Sequence, residues 1–215
     1  MAISKFPEKH VAQVAETLDE KLVDRNPIKL FQRWFNEANA AGLPLPEAMT
    51  LATSTADGKP SARMVLLKQV DENGFVFFTN YQSSKARDLD SNPEAALVFY
   101  WPQLERQVRV EGKVARTSVG ESDQYFQTRA RESQIGALAS PQSEVISSRE
   151  VLQRRAEELE QLYEGREIER PAHWGGYRLT PERIEFWKGR IGRLHDRILY
   201  ERQRDGSWTI RRLAP

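Results

Sequence analysis

Three separated segments of the sequence carry cations in patterns that suit phosphate binding. In the first, 63-RMVLLK-68, an apolar run lies between Arg63 and Lys68. Two cations that flank one strand could bind one anionic ligand or two. Taken alone, the segment fits a core strand with solvated ends better than it fits a binding site. The assignment of a function therefore needs support from the rest of the chain.

The second segment, 125-YFQTRARES-133, places Tyr125, Arg129 and Ser133 four residues apart and four apart again. On a helix these side chains would stack on one face, one turn after another. A guanidinium fork between two hydroxyl donors suits a phosphate group. The alternative is an ordinary solvated helix face, and the spacing alone does not decide between them.

The third segment, 184-IEFWKGRIGRLHDR-197, runs from a strand-like stretch into a glycine-bearing loop with three arginines and His195. Residues 183–215 contain nine Lys or Arg against four Asp or Glu, in a chain whose formal net charge is only +1. Such a local excess indicates an anionic ligand. The alternative is a basic, solvated hairpin in which Asp196 pairs with a neighbouring arginine.

Composition excludes several other chemistries. The 215 residues include no cysteine, which rules out disulfides, thiolate catalysis and Cys-ligated metal clusters. The three histidines are far apart, so we expect no metal site, and the near-neutral charge argues against nucleic-acid binding. No apolar run approaches the ~20 residues that span a bilayer. The first 21 residues have no apolar signal region, so we expect a cytoplasmic protein without a membrane partner.

The elements that must position these segments are mostly strands joined by tight turns. Asp57-Gly58 and Asn73-Gly74, each between apolar runs, are strong hairpin signals. We predict strands over residues 49–55, 61–70, 75–79, 94–101, 106–116, 175–180, 183–188, 196–204 and 207–212. So many antiparallel strands favour closure into a barrel, which removes exposed edges. The absence of βαβ alternation and of a GxGxxG motif argues against a Rossmann fold.

Helices flank the predicted barrel and make the fold α+β. Periodic apolar residues predict helices over 8–24, from Asn26 to about Gly42, and over 83–91, 119–131 and 144–164. Asn26 and Pro27 form a start signal for the second helix. We expect residues 1–25 to be an N-terminal helical segment, either a lid or mobile, and residues 26–215 to form one domain.

Taken together, the segments resemble the pyridoxine/pyridoxamine 5′-phosphate oxidase family. RMVLLK, LERQVRVEGKV, YFQTRARESQIGALAS, IEFWKGRIGRLHDR and the closing RLAP follow in the family's order, from about residue 26 to the C-terminus. The resemblance implies an antiparallel split β-barrel that binds FMN, in a homodimer with FMN at the interface. It implies oxidation of pyridoxamine or pyridoxine 5′-phosphate to pyridoxal 5′-phosphate, with O2 reduced to H2O2.

The resemblance also assigns site residues, matched motif by motif. It assigns cofactor contacts to Arg63, Met64, Val65, Leu66, Leu67, Lys68, Phe78, Thr79, Ser84, Lys85, Gln107, Gln142, Ser143, Trp187 and Arg197. It assigns the substrate phosphate to Lys68, Tyr125, Arg129 and Ser133, and the substrate ring to Arg193, Leu194 and His195, with Arg193 and His195 as the catalytic pair. Arg63, Gln107 and Trp187 should then surround a common cavity.

One departure from the family concerns the turn that binds the flavin phosphate. Ser84 stands where the family commonly has arginine, so one cation is lost, and Arg87 lies close enough in sequence to compensate. Three alternatives to an oxidase of this family remain. They are another split-barrel flavoprotein of the flavin reductase or general stress type, a non-catalytic flavin- or pyridoxal phosphate-binding protein, and a nucleic-acid-binding barrel.

Overall fold

The computed structural model describes residues 17–215 as one antiparallel sheet with flanking helices. The strands are β1 (Ala48–Ser54), β2 (Pro60–Leu66), β3 (Gln69–Asp71), β4 (Gly74–Asn80), β5 (Glu94–Trp101), β6 (Arg106–Arg116), β7 (Trp174–Lys188), β8 (Asp196–Arg202) and β9 (Trp208–Arg212). The helices are α1 (Pro27–Ala40), α2 (Ser84–Ser91), α3 (Val119–Gln127), α4 (Arg131–Ala139) and α5 (Arg149–Leu162). Within this part of the chain, no helix is both long and apolar enough to cross a membrane.

The sheet curls because β2 and β3, which follow one another directly in the chain, form its two ends. Its strands follow the order β2-β1-β5-β6-β7-β4-β3, and β8 and β9 extend it beyond β7. The Leu67 amide donates to the Glu47 carbonyl oxygen at 2.9 Å, on the β1 side, and the Lys68 amide donates to the Val76 carbonyl oxygen at 2.8 Å, on the β4 side. The predicted strand 61–70 is therefore interrupted at Leu67-Lys68. The prediction of an α+β split barrel is confirmed.

The strands predicted over 175–180 and 183–188 are a single element, β7. It pairs with β4 along its first half, with β8 along its second half, and with β6 from Tyr177 to Lys188. The turn expected between them is only a register shift opposite Glu111 and Gly112, where Gly112 faces Pro181. Gly112 is needed there because a Cβ atom would lie 2.1 Å from the Thr180 carbonyl oxygen.

Aromatic packing joins α1 to the barrel. The Asn26 side chain accepts a hydrogen bond from the Ile28 amide at 2.8 Å, which caps the helix as predicted. The apolar face of α1 is buried, and the Phe31 ring meets the rings of Phe75 and Phe99 edge-on with centroids 4.9 and 4.8 Å apart. This contact fixes α1 against β4 and β5 and fills the core.

Residues 17–25 differ from the sequence-based expectation. They form coil and turn, so the helix predicted over 8–24 does not include residues 17–24; its earlier part lies outside the described residues. The backbone of Leu18 bonds to side chains instead of to a helical neighbour: its amide donates to Asp196 at 3.3 Å and its carbonyl oxygen accepts from Arg212. Leu18 and Val23 are buried in the core, which holds this segment against β8 and β9.

We predict that Gly74→Ala destabilises the protein by at least about 2 kcal/mol. Gly74 has φ +131°, and a Cβ atom there would lie 1.9 Å from the Leu179 carbonyl oxygen. The matched control is Gly58→Ala, because Gly58 has φ +83° and nothing within 4 Å of its Cβ position. Only backbone strain of about 1 kcal/mol is expected in the control. Urea denaturation measures the free energy of unfolding of both variants, and an equal decrease in the two would contradict this role of Gly74.

Candidate functional site

A cavity of about 510 Å³ opens where β2 and β4 approach the junction between α3 and α4. It is lined by Met64, Val65, Leu66, Lys68, Phe78, Thr79, Lys85, Tyr125, Arg129, Ala130, Ser133, Gln142 and Trp174. All of these except Ala130 and Trp174 are among the site residues named from the sequence. The fold thus brings together parts of four segments that are distant in sequence.

A helix break, not one continuous helix, gathers the phosphate-binding candidates. The predicted helix 119–131 ends at Gln127, and Ala130 is extended with ψ 144° before α4 begins. Local bonding causes the break, because the Thr128 hydroxyl and amide both donate to the Tyr125 carbonyl oxygen. Tyr125, Arg129 and Ser133 therefore do not stack on a single helix face, as the spacing predicted, but all three line the cavity.

Arg129 has an unsatisfied donor at the cavity. Its Nη1 atom is buried and finds no hydrogen-bond partner among residues 17–215. The guanidinium lies over the Trp174 ring, 4.5 Å from its centroid, and burial lowers the pKa of Arg129 from its ordinary value. A buried donor without an acceptor is costly. An anionic ligand in the cavity would supply the missing acceptor.

Lys85 is a second partly buried cation. Its Nζ atom donates to Thr79 Oγ1 at 3.1 Å and to Gln142 Oε1 at 2.9 Å, both neutral groups. Burial, together with the nearby positive charge of Arg63, lowers the pKa of Lys85 to about 8. No carboxylate is among the residues that line the cavity, so its positive charge is not neutralised there. Such a site attracts anions.

The start of α2 lies beside Lys85. The Ser84 amide donates to Ser143 Oγ at 3.2 Å, and Ser143 has the left-handed φ of 75° that a non-glycine residue adopts only under local constraint. Arg87 Nη2 donates to Ser84 Oγ at 3.2 Å. The guanidinium of Arg87 therefore lies next to the position where the family commonly has arginine.

Three nearly parallel rings form an aromatic wall of the cavity. Phe78 and Tyr125 stack with centroids 3.9 Å apart and planes 19° apart, and Trp174 is tilted only 8° from Tyr125. Trp174 is not among the residues predicted from the sequence, because the predicted strand begins one residue later, at 175. The signal was present in the sequence, since an aromatic residue precedes the pair Gly175-Gly176 that opens β7.

Four of the other predicted site residues, Gln107, Trp187, His195 and Arg197, form a second cluster on the outward face of the sheet. Strand register aligns Tyr100, Gln107, Trp187 and Arg197 in one row across β5, β6, β7 and β8. The ring of His195 lies 4.7 Å from that of Trp187. We call Gln107, Trp187, His195 and Arg197 the row cluster.

In the loop before β8, ion pairs neutralise part of the positive charge, and the backbone is strained at one residue. Asp196 pairs with Arg190 at 2.6 Å and with Arg212 at 2.9 Å, as the alternative interpretation of this segment expected. His195 Nδ1 accepts from the Arg190 amide at 3.0 Å, so a neutral ring carries its hydrogen on Nε2. Arg193 is exposed and has φ 62°, and Leu194 is 74% exposed.

Within one chain, the expectation that Arg63, Gln107 and Trp187 surround a common cavity is wrong. None of the three lines the cavity, and Trp187 lies at the opposite end of β7 from Trp174. Trp174 itself lines the cavity beside β2, but Trp187 is 13 residues further along β7, roughly 40 Å away at about 3.3 Å per residue. Leu67, another predicted contact, is buried in the core.

Apolar side chains lie exposed between the cavity and the row cluster. Thr50 pairs in register with Met64 on one side and Val98 on the other, on the sheet face opposite the core. Met64 is 62% exposed and Tyr100 60% exposed. Large apolar side chains exposed together on one face indicate a contact surface for another molecule.

Two family models together match most of the chain. Residues 35–163 match the family described as pyridoxamine 5′-phosphate oxidase, and residues 174–215 match its C-terminal dimerisation region. The chain belongs to the pyridoxamine 5′-phosphate oxidase family. The resemblance inferred from the sequence motifs is thereby confirmed.

The similarity to known proteins covers nearly the whole chain. Two relatives named pyridoxine/pyridoxamine 5′-phosphate oxidase are 59% identical over 200 residues (Trichormus variabilis; 93% of this chain, 94% of the relative) and 60% identical over 198 residues (Rubrobacter xylanophilus; 92% and 91%). The structure of PhzG from Burkholderia lata 383 in complex with tetrahydrophenazine-1-carboxylic acid superposes with TM-score 0.89 and 32% identity (94% of this chain, 98% of that chain). An FMN-binding protein from Nostoc punctiforme shares the fold, with TM-score 0.71 and 18% identity (90% and 100%).

We predict that sulfate binding to the protein, freed of bound small molecules, weakens as pH rises through about 8, the pKa of Lys85. Protonated Lys85 attracts the anion and neutral Lys85 does not, so affinity should fall up to about tenfold between about pH 7 and pH 9.5. Lys85→Arg should remove this dependence because arginine stays charged. Calorimetric titration at constant ionic strength measures the sulfate affinity of the wild type and of the variant at each pH. A flat wild-type profile, or an equally steep one in the variant, would contradict the assignment.

Proposed function

We propose that the protein is an FMN-dependent oxidase that converts pyridoxamine 5′-phosphate and pyridoxine 5′-phosphate to pyridoxal 5′-phosphate in the cytoplasm and reduces O2 to H2O2. The observation that carries the proposal is the cavity itself, in which Lys68, Lys85 and Arg129 are gathered without any carboxylate. Relatives at 59–60% identity that bear the oxidase name support it.

The cavity residues fit a phosphorylated flavin. Lys85 offers a cation for its phosphate, Arg63 adds positive charge nearby, and Arg87, which donates to Ser84, offsets the arginine absent at that position. The apolar stretch of β2 and the amide of Gln142 provide surface and hydrogen bonds for a flat ring system. Bound FMN would supply the two-electron acceptor for the oxidation.

The other end of the cavity fits the phosphate of the substrate. Tyr125, Ser133 and Lys68 line the same cavity as Arg129, whose buried Nη1 donor is unsatisfied. Holding the phosphate at this end fixes the direction in which the substrate ring points. Binding energy from the phosphate, which does not react, is thereby used to orient the reacting carbon.

A homodimer would complete the site. In a twofold dimer each copy presents the same surface to the other, so two equivalent sites form together. A partner seated on the outward sheet face would bring its own row cluster to the cavity, with Arg193 and His195 placed to contact the substrate ring. The match of residues 174–215 to a dimerisation region supports this arrangement.

A second candidate reaction follows from the PhzG neighbour. Its structure holds tetrahydrophenazine-1-carboxylic acid, a ligand without phosphate. Against this candidate, the chain is 57% identical to the pyridoxine/pyridoxamine 5′-phosphate oxidase of Burkholderia lata but only 32% identical to PhzG.

We predict that the purified protein is yellow, with flavin bands near about 370 and 450 nm. Pyridoxamine 5′-phosphate should bleach the band near about 450 nm under anaerobic conditions, and air should restore it with release of H2O2. A phenazine-type carboxylic acid should bleach it far more slowly. Colourless protein that FMN cannot reconstitute would overturn the proposal, and yellow protein that releases no peroxide would indicate a non-catalytic carrier.

We predict that Arg129→Ala raises the KM for pyridoxamine 5′-phosphate by about 10- to 150-fold, the equivalent of roughly 1.5–3 kcal/mol for a lost charged hydrogen bond. FMN affinity should stay unchanged. The matched control is Arg131→Ala, because Arg131 lies outside the cavity and binds Glu160 and the Tyr163 carbonyl oxygen. Steady-state kinetics with both variants tests the assignment, and an unchanged KM in Arg129→Ala would refute it.

A further inference from the structure

Glu185 is a buried carboxylate that holds Arg197 by two hydrogen bonds. Arg197 Nε donates to Glu185 Oε1 at 2.8 Å, and Arg197 Nη2 donates to Glu185 Oε2 at 3.1 Å. The side chain of Glu185 is only 8% exposed, whereas that of Arg197 is 27% exposed. Fork-to-fork pairing of this kind fixes the plane of a guanidinium as well as its position. The pair also raises the pKa of Arg197, with the hydrogen bonds to Glu185 as the main cause.

The C-terminal residues hold Arg197 from the other side. The Leu213 amide donates to the Arg197 carbonyl oxygen at 2.9 Å, and Arg197 Nη1 donates to the Ala214 carbonyl oxygen at 2.9 Å. The preceding Arg212 binds Asp196, the neighbour of Arg197. Residues 212–214 therefore run along the start of β8 and contact both its backbone and its side chains.

A guanidinium has five N–H donors, and these contacts use three of them. One donor on Nη1 and one on Nη2 remain for a ligand. Arg109 is the other cation at Glu185, at 3.4 Å, so the carboxylate offsets part of the positive charge on this face. Arg197 is thus held in one orientation, with two donors that these contacts leave unused.

We propose that Glu185 and the C-terminal residues Leu213 and Ala214 are positioning residues that orient Arg197 toward the flavin. The proposal rests on the proposed function, in which Arg197 contacts FMN. Neither Glu185 nor the C-terminal residues touch the ligand themselves; they act through the guanidinium. The role of the closing RLAP sequence is then to hold a site residue, in addition to ending the sheet.

The experiment is a double-mutant cycle on FMN binding. Apoprotein is titrated with FMN, by quenching of flavin fluorescence, for wild type, Glu185→Gln, Arg197→Ala and the double variant. A chain that ends at Leu213 is a second test that leaves Glu185 in place. The matched control is Glu182→Gln, because the side chain of Glu182 is 55% exposed and makes a long ion pair, 3.8 Å, with Lys113. Thermal unfolding of each variant shows whether it is folded.

Glu185→Gln and the shortened chain should each weaken FMN binding by about tenfold, the effect of losing one well-oriented charged contact. In the Arg197→Ala background, Glu185→Gln should have no further effect, because the contact it supports is gone. The reduction potential of bound FMN should fall in Glu185→Gln, as it should in Arg197→Ala. A merely electrostatic role of Glu185 predicts the opposite, since removing a negative charge raises the potential.

Unchanged FMN binding in Glu185→Gln and in the shortened chain would overturn the inference, as would a full effect of Glu185→Gln in the Arg197→Ala background. These failures are separable from failure of the proposed function. If wild-type apoprotein binds no FMN, the proposed function fails and the inference falls with it. If wild type binds FMN and Arg197→Ala weakens it while the other variants do not, only the positioning role fails.

Discussion

The site depends on positive charge that the protein leaves unpaired in a half-buried cavity. Lys85 has only neutral hydrogen-bond acceptors, and Arg129 has a buried donor with no acceptor in residues 17–215. Such charge opposes folding unless a ligand compensates it. The barrel supplies the required rigidity, since β2, β4 and β7 hold the cavity wall while the break between α3 and α4 delivers Arg129. Anion binding is therefore the function that the arrangement of residues explains most directly.

The barrel also accounts for the separation of the two halves of the site. Residues that line the cavity come from β2, β4 and the α3–α4 junction, whereas the row cluster lies across β6, β7 and β8. β7 contributes Trp174 to the cavity, but Trp187 lies 13 residues further along the same strand, roughly 40 Å away at about 3.3 Å per residue. Both halves do, however, reach the same outward face, where Met64 and Tyr100 are exposed. A second copy on this face resolves the separation, and the proposed dimer is in that sense a consequence of the fold.

Local signals in the sequence predicted most elements and most of the residues at the cavity. The cap at Asn26, the Asn73-Gly74 turn and the alternation in 106–116 act through neighbouring residues, so the sequence alone shows them. The errors have nonlocal or competing causes. Side-chain bonding by Thr128 ends α3 early, and contacts of Leu18 with Asp196 and Arg212 replace a helix near residue 18. The division of the site between two surfaces depends on strand order, which periodicity does not specify.

The most direct test of the account is a mixed dimer. One chain carries Lys85→Ala with Gln142→Ala, which removes the cavity half, and the other carries Trp187→Ala with Arg197→Ala, which removes the row half. Each homodimer should fail to retain FMN. The doubly tagged heterodimer should regain about one of two sites, because one site then combines the intact halves of both chains. A heterodimer that retains no FMN, or tags that never co-purify, would contradict a flavin site built from two chains.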